Sequence, residues 1–179
     1  MAMKIAVSGG IASGKTTAAN CLAKSCGDFQ IVSFGAAIRY LNAREGIDTT
    51  RKALQDRGAQ LINELGAAGF MDYIIKVCDH VNWEGSVILD GFRHEEILGR
   101  FRELFDNVTH VFCRCDRSIR ISRIMERDNK SYEKAVAEMS HEVERRIEKL
   151  EDLADFVFEK DSEEEEQRIR LINFVNSRR

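Results

Sequence analysis

The chain has 179 residues, 44% of them hydrophobic and 32% charged, which suits one domain able to bury about two thirds of its unfolded surface. Its formal net charge of −3 gives no global attraction to nucleic acid or to an anionic membrane, so neither is expected as a partner. The five cysteines (Cys21, Cys26, Cys78, Cys113, Cys115) are odd in number and lack zinc-type pairs, which argues against a disulfide framework and for reduced thiols in a cytosol.

The N-terminus runs straight into Met3-Lys4-Ile5-Ala6-Val7, too short for a signal-peptide core, and no later apolar run approaches the roughly 18 residues of a membrane span. A cytoplasmic location is therefore expected. In chain order, strands are predicted at Ile5 to Val7, Gln30 to Phe34, Ser86 to Leu89, Val108 to Cys113 and Phe156 to Phe158. Helical patterns fall near 14–26, 35–45, 50–65, 70–82, 94–105, 117–127, 132–151 and 163–177. Proline is absent, so the boundaries rest on Gly, Ser and Asp. This alternation argues an α/β fold, a parallel sheet with helices on both faces. The long span between the second and third strands, punctuated by Gly66 and Gly69, reads as an inserted cap, and the charged segment from Asp128 as a lid. Phe70, Tyr73, Ile74 and Val77 recur at helical spacing as a packing face, and Cys113 and Cys115 as buried strand residues. His94 with Glu95-Glu96 reads as the polar first turn of a helix, and His80, His110 and His141 show no metal-ligand spacing and receive no role.

Between the first strand and the first helix stands Gly9-Gly10-Ile11-Ala12-Ser13-Gly14-Lys15-Thr16-Thr17, which meets the pattern GxxxxGK[ST] in the context it requires. Glycines let backbone N–H groups turn inward around phosphate oxygens, and the helix N-terminus adds positive potential. Lys15 bridges the outer phosphates and the Thr16 hydroxyl ligates Mg²⁺. Packing alone would not call for a Lys-Thr pair there. Asp90 ends the buried run Val87-Ile88-Leu89, where a carboxylate is costly unless paired or ion-bound; it is the expected partner of Mg²⁺, through water. Arg114, Arg117, Arg120, Arg123 and Arg127 crowd one segment, and Arg120, Arg123 and Arg127 share roughly one helical face, as a clamp on a transferring phosphoryl group would need. Asn129-Lys130 lacks the Asp and the preceding strand of a guanine-specifying element, so a GTPase is not indicated.

The chain resembles the nucleoside monophosphate kinase group of P-loop proteins along nearly its whole length. The opening GGIASGK, the run Arg123-Ile124-Met125-Glu126-Arg127-Asp128 and Leu153-Ala154-Asp155-Phe156-Val157 are similar to dephospho-CoA kinases. The Asp-x-Asp element of those enzymes is missing; Ser33-Phe34-Gly35-Ala36-Ala37-Ile38-Arg39 is instead similar to adenylate and cytidylate kinases. Thr50-Arg51-Lys52-Ala53-Leu54-Gln55-Asp56-Arg57-Gly58 resembles the acceptor region of viral-type deoxynucleoside monophosphate kinases, and Asp90-Gly91-Phe92-Arg93 the DGF element of adenylate kinases, lacking its proline. The resemblance implies a P-loop NTPase fold: a doubly wound five-stranded parallel sheet of order 2-3-1-4-5. The core would comprise 1–34, 84–127 and 152–179, with acceptor-binding helices inserted at 35–83 and an arginine-rich lid at 128–151. It implies transfer of the ATP γ-phosphoryl group to a small phosphorylated acceptor, foremost a (deoxy)nucleoside monophosphate, with dephospho-CoA as the alternative and a nucleotide-dependent switch ATPase as an alternative of another class. Lys15, Asp90, Arg123 and Arg127 are the expected catalytic residues. Gly9 to Thr17 with Arg120 would hold ATP, Arg39, Arg51 and Arg93 the acceptor, and Thr16 and Asp90 the Mg²⁺.

Overall fold

Short apolar runs form the strands, fully buried at the centre of the sheet and partly exposed at its two edges. The computed structural model describes residues 2–139, 147, 149–159 and 164–179, and the side chains of all of these except Arg51 and Glu164. β1 (Lys4–Gly9), β2 (Gln30–Ser33), β3 (Val87–Asp90), β4 (Val108–Arg114) and β5 (Phe156–Glu159) make one sheet in the order β2-β3-β1-β4-β5. Every pairing is parallel, as expected for strands joined by helical crossovers.

Alternation along β1 divides the interior in two. Ile5 and Val7 enter one core with Ala18, Ala19 and Leu22 of α1 (Lys15–Ser25) and Leu171 and Val175 of the C-terminal helix. Ala6 faces the opposite core, beneath α2 (Phe34–Arg44), α3 (Arg51–Val77) and α4 (Glu95–Leu104). His94 precedes α4, and Glu95 and Glu96 form its acidic first turn, favoured by the helix dipole. α5 (Arg117–Asp128) and α6 (Tyr132–Met139) pack Ile121, Ile124 and Ala135 on Ile11 of the loop after β1, and α7 (Glu164–Ser177) closes the chain. Among the described residues, no helix is long and apolar enough to cross a membrane.

Two helix boundaries differ from expectation. The helices predicted at 50–65 and 70–82 are the two arms of α3, parted at the non-helical Gly66 (φ 71°, ψ 164°); the second arm already includes Gly69 and ends at Val77 rather than at 82. Termination comes early because a turn takes over: Val81 N–H bonds to the Cys78 carbonyl and Gly85 N–H to that of Asn82. Trp83 Nε1–H also donates to the Cys78 carbonyl, and its ring stacks on Phe105. The second boundary concerns the helix expected over 132–151, of which Tyr132–Met139 is observed; 140–146 and 148, the centre of the expected lid, and His141 lie outside the described residues.

The arm of α3 beyond Gly66 is anchored by buried Phe70, Met71 and Ile74 and by a 2.8 Å bond from Arg100 of α4 to Asp72. Gly66 has no atom within 4 Å of the place a Cβ would occupy, so its identity answers to backbone conformation alone. That φ/ψ region is essentially restricted to glycine. Gly66→Ala is accordingly expected to lower stability by about 1–3 kcal/mol, read as a reduced urea midpoint with an unchanged m-value.

Candidate phosphate-binding site

The C-terminal ends of β1, β2 and β3 meet at one edge of the sheet, where Asp90 lies in register with Val7 on one side and Ser33 on the other. From this edge the chain leaves β1 through residues 10–14 and enters α1. Gly9 (φ 141°) and Gly14 (φ 93°) take conformations closed to most residues, and Ala12 stands at φ 59°. A left-handed alanine costs roughly 1–2 kcal/mol, which marks the loop as held in shape by its surroundings. A side chain at Gly9 would strike the Cys113 carbonyl, and one at Gly10 the guanidinium of Arg120, which is packed against it. Gly14, the N-cap of α1, has no side chain to cap the helix, whose positive dipole end opens toward the loop.

Three cations rest on three successive loop carbonyls. Lys15 Nζ donates to Gly10 O at 2.6 Å, Arg120 Nε to Ile11 O at 2.7 Å, and Arg123 Nη1 to Ala12 O at 3.2 Å. Arg123 also lies 3.1 Å from the Cys115 sulfur. α5 delivers both arginines because Asp116 caps its first turn, accepting from the Ser118 N–H at 2.7 Å, and Ile121 and Ile124 bury the intervening face.

Asp90 is 4% exposed. One carboxylate oxygen accepts from the Thr16 hydroxyl at 3.1 Å, and the other is buried with no hydrogen-bond partner. Burial pushes its pKa above the ordinary aspartate value, opposed by the Lys15 charge and the Thr16 bond. Ser13 Oγ is likewise buried without a partner.

The other expected site residues fall as follows. Arg127 turns from the loop and pairs bidentately with Asp128, at 2.8 and 3.0 Å. Arg114 joins Glu151 and Glu159 at the surface, and Thr17 is half-buried in the first turn of α1. Arg39 stands exposed on α2, past the end of β2, and Arg93 is half-buried just after β3. Arg51 opens α3, behind the Thr50 cap; its side chain is outside the described part. Phe70 packs edge-on against Phe34 in the core, as its helical spacing suggested.

Sequence reasoning passed over His110. Its imidazole is fully buried, with Nε2 2.7 Å from the Ser8 hydroxyl and Nδ1 3.1 Å from the Leu153 carbonyl. The available signal was its position: it alternates with Val108 and Phe112 on the inward face of a central strand.

Residues 5–151 match the model of a family described as an AAA domain, AAA_18. No curated protein matches the chain by sequence. Among solved structures, TT1252 from Thermus thermophilus is similar at 16% identity and TM-score 0.67, covering 98% of this chain and 97% of that one. The shikimate kinase of Bacteroides thetaiotaomicron matches at 16% identity and TM-score 0.60, over 98% and 97% of the two chains. The dephospho-CoA kinase of Campylobacter jejuni matches at 16% and 0.53, over 98% and 96%. The sheet order and these neighbours define a P-loop kinase fold.

Two titrations of opposite sign follow. Burial holds the His110 imidazole neutral down to about 4, whereas the unfolded chain takes up that proton near 6.5. The unfolded state therefore binds more protons between these values, and stability falls as pH drops from 6.5 to 4, by about 3 kcal/mol. Urea unfolding across this range should show a steeper decline for wild type than for His110→Gln. For Asp90 the raised pKa means that its charge opposes folding at neutral pH, so Asp90→Asn should raise the melting temperature at pH 7, with the gain shrinking as pH falls through that pKa.

Proposed function

Because the chain belongs to this AAA-domain family and has the fold of the P-loop kinases, we propose that it is an ATP-dependent phosphotransferase whose acceptor is a small phosphorylated molecule, foremost a (deoxy)nucleoside monophosphate. One observation carries the reading: Lys15, Arg120 and Arg123 converge on the carbonyls of a single glycine-rich loop, beside the Thr16–Asp90 pair. A nucleotide-holding switch needs the loop; positive charge brought to it from a separate helix suits a transferring phosphoryl group, whose charge spreads over its outer oxygens.

In this reading the loop N–H groups and the start of α1 hold the α- and β-phosphates, and Lys15 moves from the Gly10 carbonyl to the outer ones. Arg120 flanks the nucleotide across Gly10, while Arg123 neutralises the moving group. Arg127 joins it on leaving Asp128, and Arg39, Arg51 and Arg93 orient the acceptor phosphate. The Thr16 hydroxyl and the partnerless Asp90 oxygen are hard donors on adjacent elements, which fits Mg²⁺ held directly or through water. Such an ion would draw charge from the bridging phosphate oxygens.

Asp90 also supports a second reading. A phosphate acceptor is already a nucleophile, whereas a sugar hydroxyl must lose a proton, and a buried carboxylate with raised pKa and a free oxygen is suited to take it. The acceptor would then be dephospho-CoA. Asp90→Asn separates the two: about a hundredfold or greater loss of kcat is expected for a hydroxyl acceptor, and a smaller loss that tracks Mg²⁺ affinity for a phosphate acceptor.

The reading is tested by incubating the protein with ATP, Mg²⁺ and a panel of nucleoside monophosphates plus dephospho-CoA, following products by mass. Transfer to one class of acceptor is expected; ADP formed equally slowly with every acceptor and with none would overturn the kinase assignment. Lys15→Ala should lower kcat by about 10³-fold, whereas Arg39→Ala should raise the acceptor KM about tenfold with the KM for ATP unchanged. An unmoved acceptor KM would remove Arg39 from the site.

A further inference from the structure

A chain of hydrogen bonds runs from the strand beneath the phosphate loop to the turn that enters β5, and the phosphate chemistry does not use it. Ser8 immediately precedes Gly9, and both Ser8 and His110 are 0% exposed. A carbonyl only accepts, so the 3.1 Å contact between His110 Nδ1 and Leu153 O puts the ring proton on Nδ1. Nε2 is then the acceptor, and the Ser8 hydroxyl donates to it across 2.7 Å.

The turn is bound to β4 by two further bonds. Asp155 Oδ2 accepts from the His110 backbone N–H at 2.8 Å, and the Asp155 N–H donates to the His110 carbonyl at 2.9 Å. From α4, Arg102 reaches both the Leu153 carbonyl, at 3.3 Å, and Asp155, at 3.4 Å. Phe92, two residues beyond Asp90, covers the imidazole with ring centroids 5.8 Å apart. One ring therefore sits where the phosphate-loop strand, the segment after Asp90 and the entry to β5 come together. Packing would be served by an aliphatic residue, since neighbouring Ala6 and Phe112 are apolar; a ring polar at both ends is needed only to join a hydroxyl to a carbonyl across that interior.

We infer that His110 is a positioning residue for the phosphate loop: bonded to Ser8 on one side and to the Leu153 carbonyl on the other, it sets the end of β1, from which the loop springs, against the turn entering β5. The inference rests on the reading of residues 9–17 as a triphosphate site, where small displacements are amplified because each oxygen must meet several fixed donors.

Ser8→Ala in the full chain removes the donor with the least change of volume. MgATP affinity is measured by titration calorimetry at a temperature where melting curves show the variant folded, and amide hydrogen exchange is followed with and without MgATP. The Kd is expected to rise about tenfold, and the slowing of exchange that MgATP produces at 151–156 in wild type should be lost. A second variant, Arg102→Gln, loosens the Leu153 end from the half-exposed surface, where folding is safe, and should raise the Kd about threefold. Variants with wild-type Kd and wild-type slowing at 151–156 overturn the inference alone, leaving His110 a packing residue. A wild-type chain that binds no MgATP overturns the triphosphate reading as well.

Discussion

The carboxylate of Asp90 is the constraint around which this molecule is arranged. A charge that ends a fully buried strand is unfavourable by several kcal/mol unless something nearby offsets it. Lys15 and the Thr16 hydroxyl offset part of that cost, leaving the pKa raised, and both stand in the first turn of α1 because the glycine loop turns the chain through an angle ordinary residues resist. The register that aligns Val7, Asp90 and Ser33 brings these groups to one sheet edge. Loop, helix start and carboxylate are thus one electrostatic unit, intelligible only together.

Small residues secure the same unit sterically. Ala18 and Ala19 allow α1 to lie close on the sheet, and the missing side chain of Gly10 leaves the surface on which Arg120 rests. Arginines from a helix more than a hundred residues away in the chain thereby reach carbonyls at the N-terminal end. Local strain at Ala12 is tolerated because Ile11 is gripped by Ile121, Ile124 and Ala135.

The phosphate loop, Asp90 and the five strands were legible because each carries a local signature: periodicity, β-branched runs and a glycine pattern that has a mechanism; the order of the strands followed only from the resemblance to the P-loop kinases, since no local pattern encodes it. Arg120 and Arg123 were legible as a helical face, yet Arg127, on the same face, takes Asp128 instead; choosing between a loop carbonyl and a nearby carboxylate is a matter of side-chain reach, which spacing does not encode. The end of α3 was misread since no proline marks it, and its stop depends on a turn closed by backbone bonds near Cys78. His110 was missed for a different reason. Its partners are 102 and 43 residues distant in sequence, and only the sheet brings Ser8 and Leu153 to the two sides of one ring.

The resting partners of Arg123 and Arg127 make these neighbours differ in their response to ionic strength. Arg123 leans on the Ala12 carbonyl, which carries no net charge, and on the Cys115 sulfur, so mobile ions have less to screen there than at a carboxylate pair. Arg127 is half-exposed and held by a carboxylate, an attraction that fades once the Debye length, about 8 Å at physiological salt, contracts toward the ion-pair distance. Salt therefore loosens the outer arginine more than the inner one, so a charge cluster uniform in sequence is, in solution, two cations that answer unequally to their medium.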